Sequence, residues 1–260
     1  MGTRRVIRRS LLRAVIAIVI VAFAVPVDVF AQTVSIDAGA HWQIGDAVVD
    51  MDCAALNVAG TLDAQNGEVD GIGDLDIAGA LSAATATFEV GGNWNNHGAF
   101  AAGAGTVRFS DRCGAAQATI GGASTFANLI VESAAGKAYR FPAGLTQTVA
   151  QSLHLAGASG QLLPIRSTQS GVRASLALSQ AGGQQIAWVD VADMEAPAGS
   201  AWLAPGLAAT FHSVDSGNNV RWFVLAPQAA TIPAPATSPW ALFALALALG
   251  LLGRRRLWRH

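Results

Sequence analysis

Leu56-Asn57-Val58-Ala59-Gly60-Thr61-Leu62 and Leu75-Asp76-Ile77-Ala78-Gly79-Ala80-Leu81 are the same phrase written twice, about 19 residues apart. Each places apolar residues at every second position and then breaks the run with a glycine that turns the chain. Related phrases follow at Phe88-Glu89-Val90, Thr106-Val107-Arg108-Phe109, Asn128-Leu129-Ile130-Val131 and Leu153-His154-Leu155. Short alternating strands without an amphipathic helix point to an all-β chain. A repeat of around twenty residues favours a β-solenoid over residues 33–160, in which each rung buries its inward row against its neighbours. A β-sandwich is the alternative, because strands every 8–12 residues also fit that architecture. Leu162-Leu163-Pro164-Ile165, Ala174 to Leu178 and Ile186-Ala187-Trp188-Val189-Asp190-Val191 continue the alternation. They are read as a capping portion of the same domain, starting at about residue 160.

The two ends follow different rules. Arg4, Arg5, Arg8, Arg9 and Arg13 precede an apolar stretch from Ala14 to Val27, and Val29-Phe30-Ala31 offers small residues to a signal peptidase. Residues 1–31 are therefore expected to be a secretory signal peptide, with a retained signal anchor as the alternative. At the other end, residues 226–239 form a Pro/Ala/Thr linker. Residues 240–260 hold an apolar run from Trp240 to Gly253 and the basic end Arg254-Arg255-Arg256-Leu257-Trp258-Arg259-His260. Roughly 14 apolar residues in a helix cover about 21 Å of a hydrocarbon core near 30 Å, short for a lasting anchor. The arginines place this transmembrane segment's C-terminal end in the cytoplasm by the positive-inside rule.

The domain between these ends, residues 32–225, carries about 16 acidic against 7 basic side chains. That balance argues against nucleic acid, whose phosphates call for clustered Lys and Arg. Cys53 and Cys113 are the only cysteines, and in an oxidising compartment an even count favours a disulfide between them. Two buried thiols are the alternative. Glu68, Asp70, Asp74 and Asp76 surround Gly67, Gly71 and Gly73 in a turn-rich stretch whose oxygens could surround a cation such as calcium. The competing reading is a solvated acidic turn. The chain has no Gly-x-Ser-x-Gly, no phosphate loop and no His-Glu-x-x-His, and its five histidines are scattered singly. No enzymatic activity and no cofactor are expected.

Two stretches carry a resemblance. Ile232-Pro233 followed by Ser238-Pro239-Trp240, the Ala/Leu span and Arg254, Arg255 and Arg256 resemble the IPTL-CTERM and PEP-CTERM sorting signals of Gram-negative bacteria. Ala234-Pro235 stands where the first of these has Thr-Leu. The resemblance implies export, a membrane-held intermediate, and processing by a membrane protease or transpeptidase before delivery to the outer surface or extracellular matrix. Gly92-Asn93-Trp94-Asn95-Asn96-His97-Gly98-Ala99-Phe100 and Gly103-Ala104-Gly105-Thr106-Val107-Arg108-Phe109 resemble the phrases of bacterial β-strand-repeat surface proteins. This second resemblance implies a right-handed parallel β-helix with a structural or adhesive role. A carbohydrate-binding module contacting surface polysaccharide is the second expectation, and a β-helix polysaccharide lyase or glycosidase the third.

Overall fold

The computed structural model describes residues 32–224, and these form a β-solenoid of about eight turns built from parallel sheets. The first coil runs through β1 (Thr33–Ile36), β2 (His41–Gln43) and β3 (Val48–Asp50). The second uses β4 (Ala55–Val58), β5 (Thr61–Asp63) and β6 (Glu68–Ile72), and the third β7 (Leu75–Ile77), β8 (Ala80–Ser82) and β9 (Thr87–Val90). The fourth is β10 (Trp94–Asn96), β11 (Ala99–Ala101) and β12 (Thr106–Phe109). Two-strand coils follow, β13 (Gln117–Gly122) with β14 (Thr125–Glu132) and β15 (Ala138–Phe141) with β16 (Thr146–Ala156). The chain continues through β17 (Leu163–Ser167), β18 (Ala174–Leu178) and β19 (Gly183–Ala187), then β20 (Val189–Ala192) and β21 (Met194–Glu195). A 3-10 helix over Ala208–Phe211 and β22 (Val214–Asp215) close the described chain.

Corresponding strands of successive coils pair side by side, giving two nine-stranded sheets and one four-stranded sheet. The register sets Leu56 against Leu75, Leu75 against Trp94 and Trp94 against Ile120. On the other long sheet one column runs Ile72, Val90, Phe109, Val131, Leu155 and Ile186. All six are buried, as are the four of the first column. Burying such a side chain contributes roughly 1.5–3 kcal/mol, so each column is a continuous source of stability along the axis. The repeated heptapeptide therefore marks adjacent rungs of a solenoid, and the sandwich arrangement is excluded by the parallel pairing of every strand.

The cross-section changes after the fourth coil. The four-stranded sheet ends at β11, because the next coil cuts its corner at Gly121-Gly122 and enters β14 directly. Gly122 has φ +74°, and a Cβ there would lie 2.0 Å from the carbonyl oxygen of Asn96. Aromatic side chains fill the interior at this step. Trp94 meets Phe100 edge-on at 4.9 Å and Phe126 at 5.3 Å between ring centroids, and Phe109 meets Tyr139 at 5.8 Å. The Trp94 indole donates to Ser124 Oγ at 3.0 Å, and the Ser124 amide donates to Oε1 of buried Gln147 at 3.0 Å. The amide nitrogen of Gln147 in turn donates to the carbonyls of Ile120 and Gly122.

Residues beyond 160 add further strands to both long sheets, and after Glu195 the chain loops away before returning to the sheet of β1 through β22. There Leu203, Ala204, Trp222 and Phe223 cover the C-terminal end of the core. The N-terminal end is different. Among the described residues the first strand of each sheet has a neighbour on one side only, and Trp42, Val48 and Val49 are exposed there. Trp94→Ala should remove about 3–5 kcal/mol of stability by opening a cavity at the change of cross-section, read as a lowered midpoint in urea unfolding. Gln147→Leu should also destabilise, because it leaves the Ser124 amide and two buried carbonyls unpaired.

Candidate functional site

The corner after β12 is longer than its counterparts, and residues Ser110 to Ala116 fold back toward the first coil. Cys113 closes a disulfide with Cys53, 60 residues earlier, with the two Cα atoms 5.4 Å apart. Its neighbour Arg112 donates from one terminal nitrogen to Asp50 at 2.7 and 2.8 Å and from the other to Glu89 at 3.3 Å. This strap crosses the corners of the second and third coils, where glycines make room for it. A Cβ on Gly71 would sit 2.7 Å from the Arg112 guanidinium carbon, and one on Gly91 would sit 2.2 Å from the Arg112 carbonyl oxygen.

The strap is fastened from below by Lys137, the only lysine of the chain. Its buried ammonium donates to the carbonyls of Gly91 and Ser110, the second at 3.1 Å, and lies 5.2 Å from the centre of the Tyr139 ring. Burial holds the Lys137 pKa below the ordinary lysine range, with Asp111 and Asp74 opposing that shift. The Tyr139 hydroxyl donates to the Ser110 carbonyl at 3.0 Å, and burial raises its pKa.

Carboxylates stack beneath the strap. Asp50 lies in register with Asp70 on the outer face, and Glu89 follows on the next coil. The Asp52 amide and then the Arg112 guanidinium hold the Asp50 carboxyl below the usual aspartate range. Asp70 moves the other way, raised first by burial and then by the charge of Glu89. Further along the same face Arg108 pairs with Glu132 at 2.8 Å, and Glu132 meets the His154 ring at 3.2 Å. The resulting ladder of acids and arginines came from residues about twenty positions apart, and only the repeat register could have revealed it.

The four acidic residues singled out as a cation site are split by the corner at Gly71–Gly73. Glu68 and Asp70 belong to β6 in one long sheet, while Asp76 belongs to β7 in the other. Asp74 sits in the corner, and its Oδ1 accepts from the Asn93 amide at 2.6 Å and the Asn93 side chain at 3.1 Å. Among the described residues no three His, Cys, Asp or Glu side chains stand close enough to hold a metal ion. Ile232, Pro233, Ser238, Pro239, Trp240, Arg254, Arg255 and Arg256 of the sorting motif lie outside the described residues, as does the signal segment. No helix among the described residues is long and apolar enough to cross a membrane.

Among the described residues the tryptophans do not form an exposed row. Trp94 and Trp222 are buried, Trp202 lies under the Arg221 guanidinium at 5.1 Å, and Trp188 stacks on His212 at 4.5 Å. One concavity along the flanks is a groove of about 460 Å³ lined by Arg140, Arg166, Ser170, Asp193, Ser216 and Asn218, among others. Compared with known proteins, the chain matches no family model, no curated protein and no solved structure.

Replacing Cys53 and Cys113 together by serine should cost about 2–5 kcal/mol, read by thermal unfolding with and without reductant. The reductant should destabilise the parent and leave the double variant unmoved. A raised carboxyl pKa means that the ionised form of Asp70 opposes folding above that pKa and ceases to do so in acid. Asp70→Asn should therefore raise the melting temperature at pH 7, with the gain disappearing as the pH falls below about 4. Asp50→Asn should do the reverse at pH 7, because its depressed pKa stabilises the fold above the ordinary aspartate range and that contribution is lost in acid.

Proposed function

We propose that this chain is an exported, non-catalytic surface or extracellular-matrix protein of a Gram-negative bacterium, a right-handed parallel β-helix with a structural or adhesive role. The observation that carries this reading is the Cys53–Cys113 disulfide. Such bonds form and persist in oxidising compartments, outside the cytoplasm. A signal peptide over residues 1–31 and a transmembrane sorting tail over residues 240–260 supply the route. Signal peptidase and a membrane sorting protease or transpeptidase would be the partners that read them.

The body suits the role. About eight coils at ~4.8 Å give a rod some 40 Å long, stiffened by a continuous core. Its first sheet presents short polar side chains in a row, Ser35, Asn57, Asp76 and Asn95 lying in register on successive coils. A polysaccharide lyase would need an arginine or lysine free to act as base. At the stacked carboxylates neither candidate is free for that role, since Arg112 is committed to two of them and Lys137 is buried against carbonyls. Binding of surface polysaccharide is the second reading, favoured by the groove beside Arg140.

The test is fractionation of cells carrying one tag within the solenoid and another at the C-terminus. The internal tag should leave the cytoplasm and reach the outer surface or matrix. Retention in the cytoplasm would end the proposal. Separation of the two tags into different fractions is expected if the tail is removed during sorting.

A further inference from the structure

Positive charge is scarce in this domain, and most of it is already spoken for. Arg108 is held by Glu132, Arg112 by Asp50 and Glu89, and Arg166 by Asp190. Arg221 donates to the carbonyls of Pro197 and Ser200, and Lys137 is buried. Among the described arginines, Arg140 and Arg173 have neither an ion pair with a carboxylate nor a partner on a terminal guanidinium nitrogen; Arg140 lines a groove, and Arg173 is bonded to Asn218 of the same lining. Arg140 and Arg166 lie in register on adjacent coils and form one wall. The Arg140 Nε donates to Gln117 at 3.2 Å, which fixes the guanidinium while its two terminal nitrogens have no partner among the described residues. Arg173 is exposed at the rim, where its Nε donates to the carbonyl of Asn218 at 2.9 Å.

The rest of the lining is largely polar. Asp193 accepts from the Asn218 side chain at 2.6 Å, and this contact, followed by the amide of Gly171, holds its carboxyl below the ordinary range. Ser216 donates to Asp190 at 2.5 Å, locking the base of the Arg166 pair. With two donors satisfied, the Asp193 carboxylate keeps acceptor sites for further hydroxyls. Ser170 adds an exposed hydroxyl at the same groove.

A site with a free guanidinium fork on one side and an ionised carboxylate on the other selects for a ligand bearing both an anion and neighbouring hydroxyl donors. A carboxylate fits the planar fork bidentately. A free sulfate ion, or a dextran whose hydroxyls are largely esterified with sulfate, brings few hydroxyl donors to Asp193. We propose that this groove binds a uronic-acid-containing polysaccharide, the sugar carboxylate on Arg140 with Arg173 beside it and the ring hydroxyls on Asp193 and Ser170. The inference rests on the second reading above, in which the flank binds saccharide, and it names the sugar class and the residues.

The test uses the full chain in non-ionic detergent, titrated calorimetrically with a short galacturonate oligomer, its carboxyl-reduced neutral form, and sulfated dextran at one fixed salt concentration. The galacturonate oligomer should bind, the neutral form should lose most of that affinity, and sulfated dextran should bind more weakly. Arg140→Ala should weaken galacturonate binding about tenfold or more. Arg140→Lys should fall between the two, because it keeps the charge and loses the fork. Arg173→Ala should weaken binding less than Arg140→Ala, and Arg108→Ala, on another face, should bind like the parent. Circular dichroism of each variant checks that the β-structure is retained, and should Arg140→Ala not fold, Arg173→Ala and Arg140→Lys carry the comparison. Equal binding of the neutral oligomer, binding of sulfated dextran as tight as that of galacturonate, or parental affinity in both the Arg140 and Arg173 variants would overturn the proposal. Galacturonate binding that ignores both arginines would sink this groove alone, whereas no binding of any of the three glycans would sink the saccharide reading with it.

Discussion

Every strand from the second coil onward takes its sheet hydrogen bonds from the coil before it, and that one constraint organises the molecule. Parallel pairing at a fixed register forces each inward residue onto its counterpart one coil away, so apolar residues meet apolar residues along whole columns. A slip of one residue would turn such a column outward. The same register governs the outer face, where it sets Asp50 on Asp70 whether or not their charges agree. The raised pKa of Asp70 and the commitment of Arg112 to its two acidic neighbours are consequences of that stacking.

Two places depart from simple repetition, and they support one another. Where the cross-section narrows after the fourth coil, aromatic rings stand where the earlier coils have leucines, Trp94 on Leu75 and Phe100 on Leu81. The corner lengthened at this same step becomes the strap that runs back over the second and third coils. Lys137 and Tyr139 come from the coil just beyond, and both fasten the strap through the Ser110 carbonyl. The first coil is thus held in place by contacts supplied from the middle of the solenoid.

How much of this could be read from the sequence depended on spacing. Leu56 and Leu75, and then Leu75 and Trp94, fall at a constant interval, so the first full coils announce themselves. The interval lengthens once Trp94 pairs with Ile120, and the eleven-residue β16 hides the fact that it faces two different strands of the next coil. The cysteine pair was legible because no other cysteine competes. Glu68, Asp70, Asp74 and Asp76 are close in sequence, yet a glycine corner sends Glu68 and Asp70 to one sheet and Asp76 to another. Arg112 and Lys137 gave no local signal, because their partners are brought near only by the folded-back corner. Arg140 belongs to the same class, defined by what surrounds it in space.

The strap also sets an order of events. Cys53 is made early, but the segment that pins it arrives only after three more coils have been synthesised. Rungs form by contacts between neighbours in sequence, which is rapid, whereas closing a 60-residue loop waits for the rungs to bring its ends together. The thiols therefore act as a checkpoint on assembly. They meet only in a chain whose first four coils have stacked in the right register, and oxidation makes that success permanent.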